Sequence, residues 1–479
     1  MPEQFLHGVQ VVEITDGPRP IRTVNSAVIG LVGTAPDAEA AVAASVTLGT
    51  GTAALTVTAA TAGIEGNEIS VRLKNPGAAS QALAVSLDGK AITVSLATDS
   101  SGIVTSTPAT IKTALDANIG IAALVDVTSG GTGVVTPTAT VRLSGGLDEA
   151  FPAGVPYRIA ASRTEAARAG STGTLPAALD DILDQVGAVI VCVRAEVGED
   201  DAATQANIIA AVDKLLDAES TLGLTPRILI APEFSAEKEV ADALISVANK
   251  LRAFAFADGP NSTDAAAVNY ATQFGSDRLA VIDPWLVKSG VDHAPSAAWA
   301  GATAKSDYER GFWWSPSNVE ILGFTGTARA IGFRLGDPTS PANLLNEANV
   351  TTVVKQNGNR IWGNRTTSAD PKFAFISVRR TADLINDSIL RAHLWAVDRN
   401  ISRTYLEDVT ESVNGYLKTL TNLGAILGGK CWPDPDLNSP ANISQGKVYF
   451  NFEFTPPYPA ENITFRSILV NDYITEILN

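Results

Sequence analysis

PRILIAPEFSAEKEVADALISVANKLRAFAFAD (226–258) places a short apolar run, a segment of helical spacing and a second apolar run in succession. PRILIAP (226–232) and AFAFAD (253–258) are apolar at successive positions, the pattern of strands buried on both faces. Between them Val240, Leu244, Val247 and Leu251 recur at helical spacing, and Ser235 stands where an N-cap belongs. Strand, helix and strand in this order predict parallel strands joined by a crossover helix.

The alternation extends both ways. Residues 176–186 read as a helix and GAVIVCVR (187–194) as a buried strand, and Ile208, Ile209, Val212, Leu215 and Leu216 share one helical face. Downstream, 264–274 reads as a helix and RLAVID (278–283) as a strand. Upstream, VNSAVIGLVG (24–33) is an apolar run whose natural continuation comes after Phe151. The predicted core, residues 23–37 and 151–339, is therefore an α/β domain with helices on both faces of a mostly parallel sheet.

The stretch interrupting it differs in kind. Between Phe5 and Phe151 there is no Phe, Tyr or Trp. LTVTA (55–59), ISVRL (69–73), LAVSL (83–87) and ITVSL (92–96) alternate apolar and small polar residues, as half-buried antiparallel strands do, with turns at NPG (75–77) and DGK (88–90). STPATIKTALDANI (106–119) reads as a short helix. Residues 38–150 are predicted to be an inserted, small β-rich α+β domain with an aliphatic core.

Residues 340–462 are predicted to form an α+β C-terminal domain. Its amphipathic helices span 380–399 and 404–423, the second burying Leu406, Val409, Val413, Leu417 and Leu420. VYFNFEF (448–454) then alternates cleanly as a strand. Both chain ends are extended arms: residues 1–22, with GVQVVEIT (8–15) stopping at DGPRP (16–20), and 463–479, cut off by TPPYPAEN (455–462). A terminal strand isolated by prolines either folds back onto its own sheet or pairs with another chain. Both readings stand at this point.

The 479 residues are 45% hydrophobic and 18% charged, which excludes a disordered chain. Thirty-five basic against 51 acidic residues give −16, against general binding of nucleic acid or anionic membranes. No apolar run has the length of a membrane span and no signal peptide is evident, so the chain reads as soluble and made in the cytoplasm. Cys192 and Cys431 form no disulfide framework, and His7, His293 and His393 lie in unrelated contexts. No HExxH, paired CxxC or GxSxG occurs, so no catalytic, cofactor-binding or metal-ligating residue is assigned.

GAILGGKC (424–431) nearly matches a phosphate-binding loop, but Cys431 replaces the magnesium-binding hydroxyl and Trp432-Pro433 follows where a helix should open. Gly424, Gly428 and Gly429 are read as helix termination and a turn. DPDLNS (434–439) lacks the glycine and glutamate of a calcium loop. Arg379, Arg380, Arg391, Arg399 and Arg403 gather around one predicted helix, as a solvated face with local ion pairs or as a cationic strip facing an acidic partner.

Taken in order, ADGPNSTDAAAVNYATQFGSDRLAVIDP (257–284), GFWWSPSNVEILGFTGTAR (311–329), ANLLNEANVTTV (342–353) and RIWGNRT (360–366) resemble contractile-tail sheath proteins of P2-like phages and R-type bacteriocins. AVDRNISRTYLEDVTESVNGYLKTL (396–420), WPDPDLNSP (432–440), QGKVYFNFEFTPPYPAENITF (445–465) and YITEIL (473–478) continue the likeness, with HGVQVVEI (7–14) and SAVIGLVGTAPDA (26–38). The insertion departs from the shorter family members and looks like a β-rich module of phage structural proteins.

The resemblance implies copies of this chain in stacked hexameric rings around an inner tube, contracting to drive the tube through a target cell envelope. Implied partners are the chain itself, the tail tube protein, and baseplate and tail terminator proteins, with no cofactor, nucleic acid or membrane insertion. The implied location is a virion tail or bacteriocin particle assembled in the bacterial cytoplasm. Strands lent to neighbours would contain Val9, Val11, Val12 and Ile14 at one end and Ile468, Val470, Ile474 and Ile477 at the other. The receiving sheet would contain Val448, Phe450, Phe452 and Phe454. Helices over 380–423 would face the tube through Arg391, Arg399, Arg403 and Lys418, and the insertion would lie outward. Two other classes stay open: a baseplate or adhesive tail protein, and an enzyme on the α/β domain.

Overall fold

The computed structural model describes residues 20–471 and 473. They divide into two compact units, the larger from residues up to 34, 156–163 and 177 onward, the smaller from Ala35–Val155 and Thr164–Pro176.

The larger unit is built on a nine-stranded sheet. From one edge its strands are Glu320–Ile321, Asn359–Trp362, Val350–Lys355, Leu279–Ile282, Phe254–Asp258, Ile228–Ile230, Ile29–Thr34, Val189–Ala195 and Tyr157–Ala160. The run from Val350–Lys355 to Val189–Ala195 is parallel, and the outer strands at both ends pair antiparallel. Its central strands are buried throughout, which is why they read as unbroken apolar runs. Leu229, Ala255, Val281 and Val191 face helices Asp201–Lys214 and Lys238–Leu251. Helix Pro295–Arg310, with Trp299 fully buried, packs against the same strands.

Ser235 is not the N-cap of the crossover helix. That helix begins at Lys238 after Glu237, which makes no side-chain cap. Ser235 is buried instead, and its hydroxyl donates to Asp258 at 2.7 Å. A hydroxyl next to a buried carboxylate gains more there than at an exposed helix end.

The smaller unit holds a three-stranded sheet of Ser45–Leu48, Leu55–Ala59 and Val125–Ser129 and a four-stranded one. The second differs from the all-antiparallel expectation: Ser70–Lys74 pairs parallel with Ala91–Ser95. Strand Ala84–Asp88 turns back at Gly89 to pair antiparallel with Ala91–Ser95, which then runs alongside the earlier strand in its own direction. The aliphatic core includes Leu55, Val57, Leu73, Ile92, Val94, Ile111 and Leu115.

In the C-terminal part, helix Ile376–Ala392 is shorter than the expected 380–399 segment at its C-terminal end. His393 Nδ1 bonds the Ile389 carbonyl at 2.7 Å, a short 3-10 turn Leu394–Ala396 follows, and Asp398 takes a left-handed φ of 62°. Helix Arg403–Asn422 is capped by Ser402, whose hydroxyl accepts from the Tyr405 N–H.

Candidate assembly interface

Helix Arg403–Asn422 buries Val409 and, in a cluster with Leu384, Ile385, Ile426 and Cys431, Val413, Tyr416, Leu417 and Leu420. On this cluster lies an antiparallel hairpin of Gly428–Pro433 and Phe450–Thr455, with Gly429 opposite Phe454, Cys431 opposite Phe452 and Pro433 opposite Phe450. The reading of Gly428 and Gly429 as a turn is corrected here. Gly424, at φ 76°, ends the helix, whereas Gly428 and Gly429 open a strand. A Cβ at Gly429 would come within 2.8 Å of the Glu453 carbonyl, so only glycine fits where that strand meets its partner.

Phe450, Phe452 and Phe454 pack on the cluster, while Glu453 is exposed. Val448 precedes the strand rather than belonging to it. Among the described residues the hairpin's sheet has two strands, fewer than an independent sheet needs.

Asn414 reaches from the helix to the outer side of Gly428–Pro433. Its Oδ1 accepts from the Cys431 N–H at 2.7 Å, and its Nδ2 donates to the Cys431 carbonyl at 3.1 Å. Burial pushes the Cys431 thiol up to about 11, so it stays protonated.

The first described residues lie on this cluster. Ile21 and Val24 pack on it, Thr23 Oγ1 bonds Tyr416 Oη at 3.0 Å, and the Val24 N–H donates to Ser388 Oγ at 3.0 Å. At the other end, Tyr458 meets Phe375 edge-on at 6.2 Å, and Arg365 forks onto Glu461 at 2.9 and 2.6 Å. Beyond Glu461, residues 462–471 form no strand, and Phe465 and Leu469 are 91% and 96% exposed. Ile468 and Val470 lie in this exposed stretch. Val9, Val11, Val12, Ile14, Ile474 and Ile477 lie outside the described residues.

The arginines do not form one strip. Arg379 and Arg380 are buried, Arg379 pairing with Asp277 and Asp383 and Arg380 with Asp307 at 2.6 Å. Arg391 binds Glu219 and Asp387, each at 2.6 Å. Asp387 also holds the buried Arg227. Burial pushes its carboxyl up, but Arg391 and Arg227 more than offset this and hold it below its usual value. These cations are claimed by carboxylates one helical turn away, Asp383 and Asp387, and by Asp277, Asp307 and Glu219 from distant parts of the sequence, since a buried unpaired charge costs several kcal/mol. Arg399 is exposed over the Trp395 ring at 5.1 Å, Arg403 is exposed beside Glu407 at 2.8 Å, and Lys418 is exposed.

Two further polar clusters escaped sequence reading because their members are far apart in the chain. Lys288 Nζ lies 2.8, 2.9 and 2.7 Å from Asp180, Asp181 and Asp184, and His293 Nδ1 is 2.7 Å from Asp181. The three carboxylates come close enough to share a cation, and the lysine ammonium already supplies one. Asp258, wholly buried, accepts from Ser235 Oγ, Ser296 Oγ and the Ser296 and Glu233 N–H groups. Each cluster ties structural elements together. Among the described residues, no helix is long and apolar enough to cross a membrane.

Comparison with known proteins agrees with this anatomy. The family described as phage tail sheath protein central domain matches residues 201–367, and the phage tail sheath C-terminal domain matches 368–469. A putative prophage major tail sheath protein of Pseudomonas aeruginosa (strain UCBPP-PA14) is 44% identical, covering 68% of this chain and 88% of its own. The tail sheath protein of Burkholderia phage BcepMu is 30% identical over 99% of this chain and 98% of its own. In fold, the contracted sheath of an extracellular contractile injection system matches with a TM-score of 0.54 at 19% identity, covering 67% of this chain and 89% of that one. The large mixed sheet and its helices are thus a contractile-sheath architecture, and the chain belongs to the phage tail sheath family as a structural subunit of a contractile tail sheath.

Proposed function

We propose that the chain polymerises as stacked hexameric rings around an inner tube, in a virion tail or related particle, and contracts to drive that tube through a target envelope. Each subunit lends its ends to neighbouring hairpins. The observation carrying this reading is the pairing of an under-sized sheet with an apolar tail: among the described residues a two-stranded hairpin is followed in the chain by residues 462–471, which expose Phe465 and Leu469 to solvent. An apolar segment held away from its own sheet is what β-strand addition requires.

A lent strand makes several backbone hydrogen bonds, each contributing about 0.5–1.5 kcal/mol net. Each apolar side chain that becomes fully buried adds roughly 1.5–3 kcal/mol. One junction is modest, and a lattice repeats it. Contraction in this scheme moves from a kinetically trapped packing to a better-buried one, without a nucleotide and without catalysis by the subunit.

Exposed Arg399, Arg403 and Lys418 are the candidates for contact with the tube. The smaller unit has a core of its own and is assigned, in this reading, to the outer surface of the sheath. Partners are other copies, a tube protein, and baseplate and terminator proteins, and assembly takes place in the bacterial cytoplasm. Deleting residues 462–479 tests the reading: the expected result is a folded subunit that stays small on sedimentation, and normal long tubes would overturn it.

A further inference from the structure

The smaller unit treats its cations in two ways. Lys90 lies 2.8 Å from Glu68, Lys112 2.6 Å from Asp116 and Arg168 2.8 Å from Glu39. Arg72, Lys74 and Arg142 are exposed and make no ion pair among the described residues. Arg142 acts on Glu68 only through space, and Lys90 already holds that carboxylate.

The sheet register gathers these three on one face. Strand Ser70–Lys74 turns Val71 and Leu73 into the core, so Ser70, Arg72 and Lys74 share its solvent side. Ser70 stands opposite Arg142 of strand Val141–Arg142, which puts Arg142 on that side, diagonal to Arg72 and about 7–8 Å from it. On the other flank Thr93 stands beside Arg72 and Ser95 beside Lys74. Asp88, the one carboxylate in these four strands, pairs with Ala91 two strands from Ser70. Like charges crowded on one sheet face repel, and here no acid of the described residues pairs with them.

The face selects an anion of a particular kind. Hydroxyls of Ser70, Thr93 and Ser95 lie among the cations, and a hydroxyl both donates and accepts, as the hydroxyls of a sugar require. Stacking on nucleic-acid bases needs aromatic side chains, and residues 6–150 contain none. Groove reading needs a helix or ribbon that can enter, not the face of a sheet. An acidic peptide would answer the cations and leave the hydroxyls unused. The matched sheath domains, 201–367 and 368–469, lie outside this unit, so the function shared with the family does not account for the face.

We propose that the solvent face of the four-stranded sheet binds a linear, carboxylate-bearing polysaccharide, with Arg72, Lys74 and Arg142 on its carboxylates and Ser70, Thr93 and Ser95 on its hydroxyls. A single site is weak, because exposed ion pairs contribute little. Repetition of the subunit along a sheath makes the binding multivalent.

Full-length protein is titrated with fluorescently labelled polyuronate at about 0.15 M salt. Arg72→Gln, Lys74→Gln and Arg142→Gln together are expected to weaken binding about tenfold or more, since avidity multiplies a small loss at each site. Lys112→Gln, on helix Pro108–Asp116, is expected to leave it unchanged. Thr93→Val with Ser95→Ala keeps the charges and is expected to weaken polyuronate binding about threefold without changing the binding of polyglutamate. Wild-type protein that does not bind polyuronate, or a triple variant that binds it equally, overturns the site. Polyglutamate or double-stranded DNA bound as tightly as polyuronate overturns the polysaccharide assignment. The triple variant is expected to sediment as wild type does; lost assembly of a folded triple variant would make the face a contact between copies and overturn the proposal. If the triple variant does not fold, the three single substitutions decide, and wild-type affinity in all of them overturns the proposal.

Discussion

Arg365 and Glu461 meet through two bonds of 2.9 and 2.6 Å, and this fork precedes the exposed stretch 462–471. The Arg365 guanidinium also lies 5.4 Å above the Phe375 ring, and the Glu461 hydrogen bond holds its pKa above the ordinary arginine value. The pair fixes the direction in which the tail departs.

Arg365→Ala is expected to lower subunit stability little, by about 0.5–1 kcal/mol, because the pair is partly exposed. Assembly is expected to suffer more, since a tail with a free base loses more entropy on docking. Paired measurements check this: thermal melting of the subunit and its sedimented fraction under assembly conditions. Arg365→Lys, which keeps the charge and loses the fork, should fall between.

Arg391→Glu and Arg399→Glu should behave differently. Arg391 lies between Glu219 and the buried Asp387, so reversal there puts three acids together and is expected to cost about 2–3 kcal/mol of folding stability. Arg399 is exposed over the Trp395 face, so its reversal should leave the urea midpoint nearly unchanged. If Arg399 faces the tube, its reversal weakens co-assembly with tube protein, and raised salt narrows the difference from wild type.

The central sheet was readable because strands buried on both faces have no polar positions to disguise them, as in Leu279–Ile282 and Phe254–Asp258. The second hairpin strand was readable from the spacing of Phe450, Phe452 and Phe454. Its partner was not: Gly428, Gly429 and Pro433 carry turn chemistry, and only the facing phenylalanines make them a strand. The arginines misled for a related reason. Charge reads as surface unless the partner is known, and Arg380 finds Asp307 73 residues away. Asn414, whose side chain imitates a neighbouring strand at Cys431, has no sequence signature.

Asp258 carries a pH prediction. Burial pushes its carboxyl up to about 6, against the hydrogen bonds from Ser235, Ser296 and Glu233 that favour the charged form. The folded state thus holds the proton more tightly than the unfolded chain. The group's contribution is fully present below the ordinary carboxylate pKa and is lost as pH rises through about 6. Asp258→Asn should flatten that slope, yet still destabilise by about 1–3 kcal/mol. Its NH2 would confront donors, since Oδ1 accepts from the Ser296 N–H and Oδ2 from the Glu233 N–H. Urea midpoints compared at acid and neutral pH test both parts.

Lys288→Met removes the ammonium that Asp180, Asp181 and Asp184 share. Arg163 still reaches Asp180 and Asp184, and His293 reaches Asp181, but the three carboxylates then exceed the remaining cations at neutral pH. The lysine lies mostly out of solvent, and the expected loss is about 2–4 kcal/mol, somewhat below that for a fully buried pair. Acidification should return part of it. The Asp181 hydrogen bond raises the His293 pKa, so its favourable charge is present at low pH and lost as pH rises through that raised value. Strand Leu286–Lys288 and strand Val291–His293 lean on these contacts, so hydrogen exchange in that segment should speed up in the variant at neutral pH and slow again at mildly acid pH once corrected for intrinsic rates. Exchange unchanged from wild type at both pH values would show that the cluster does not hold the hairpin down.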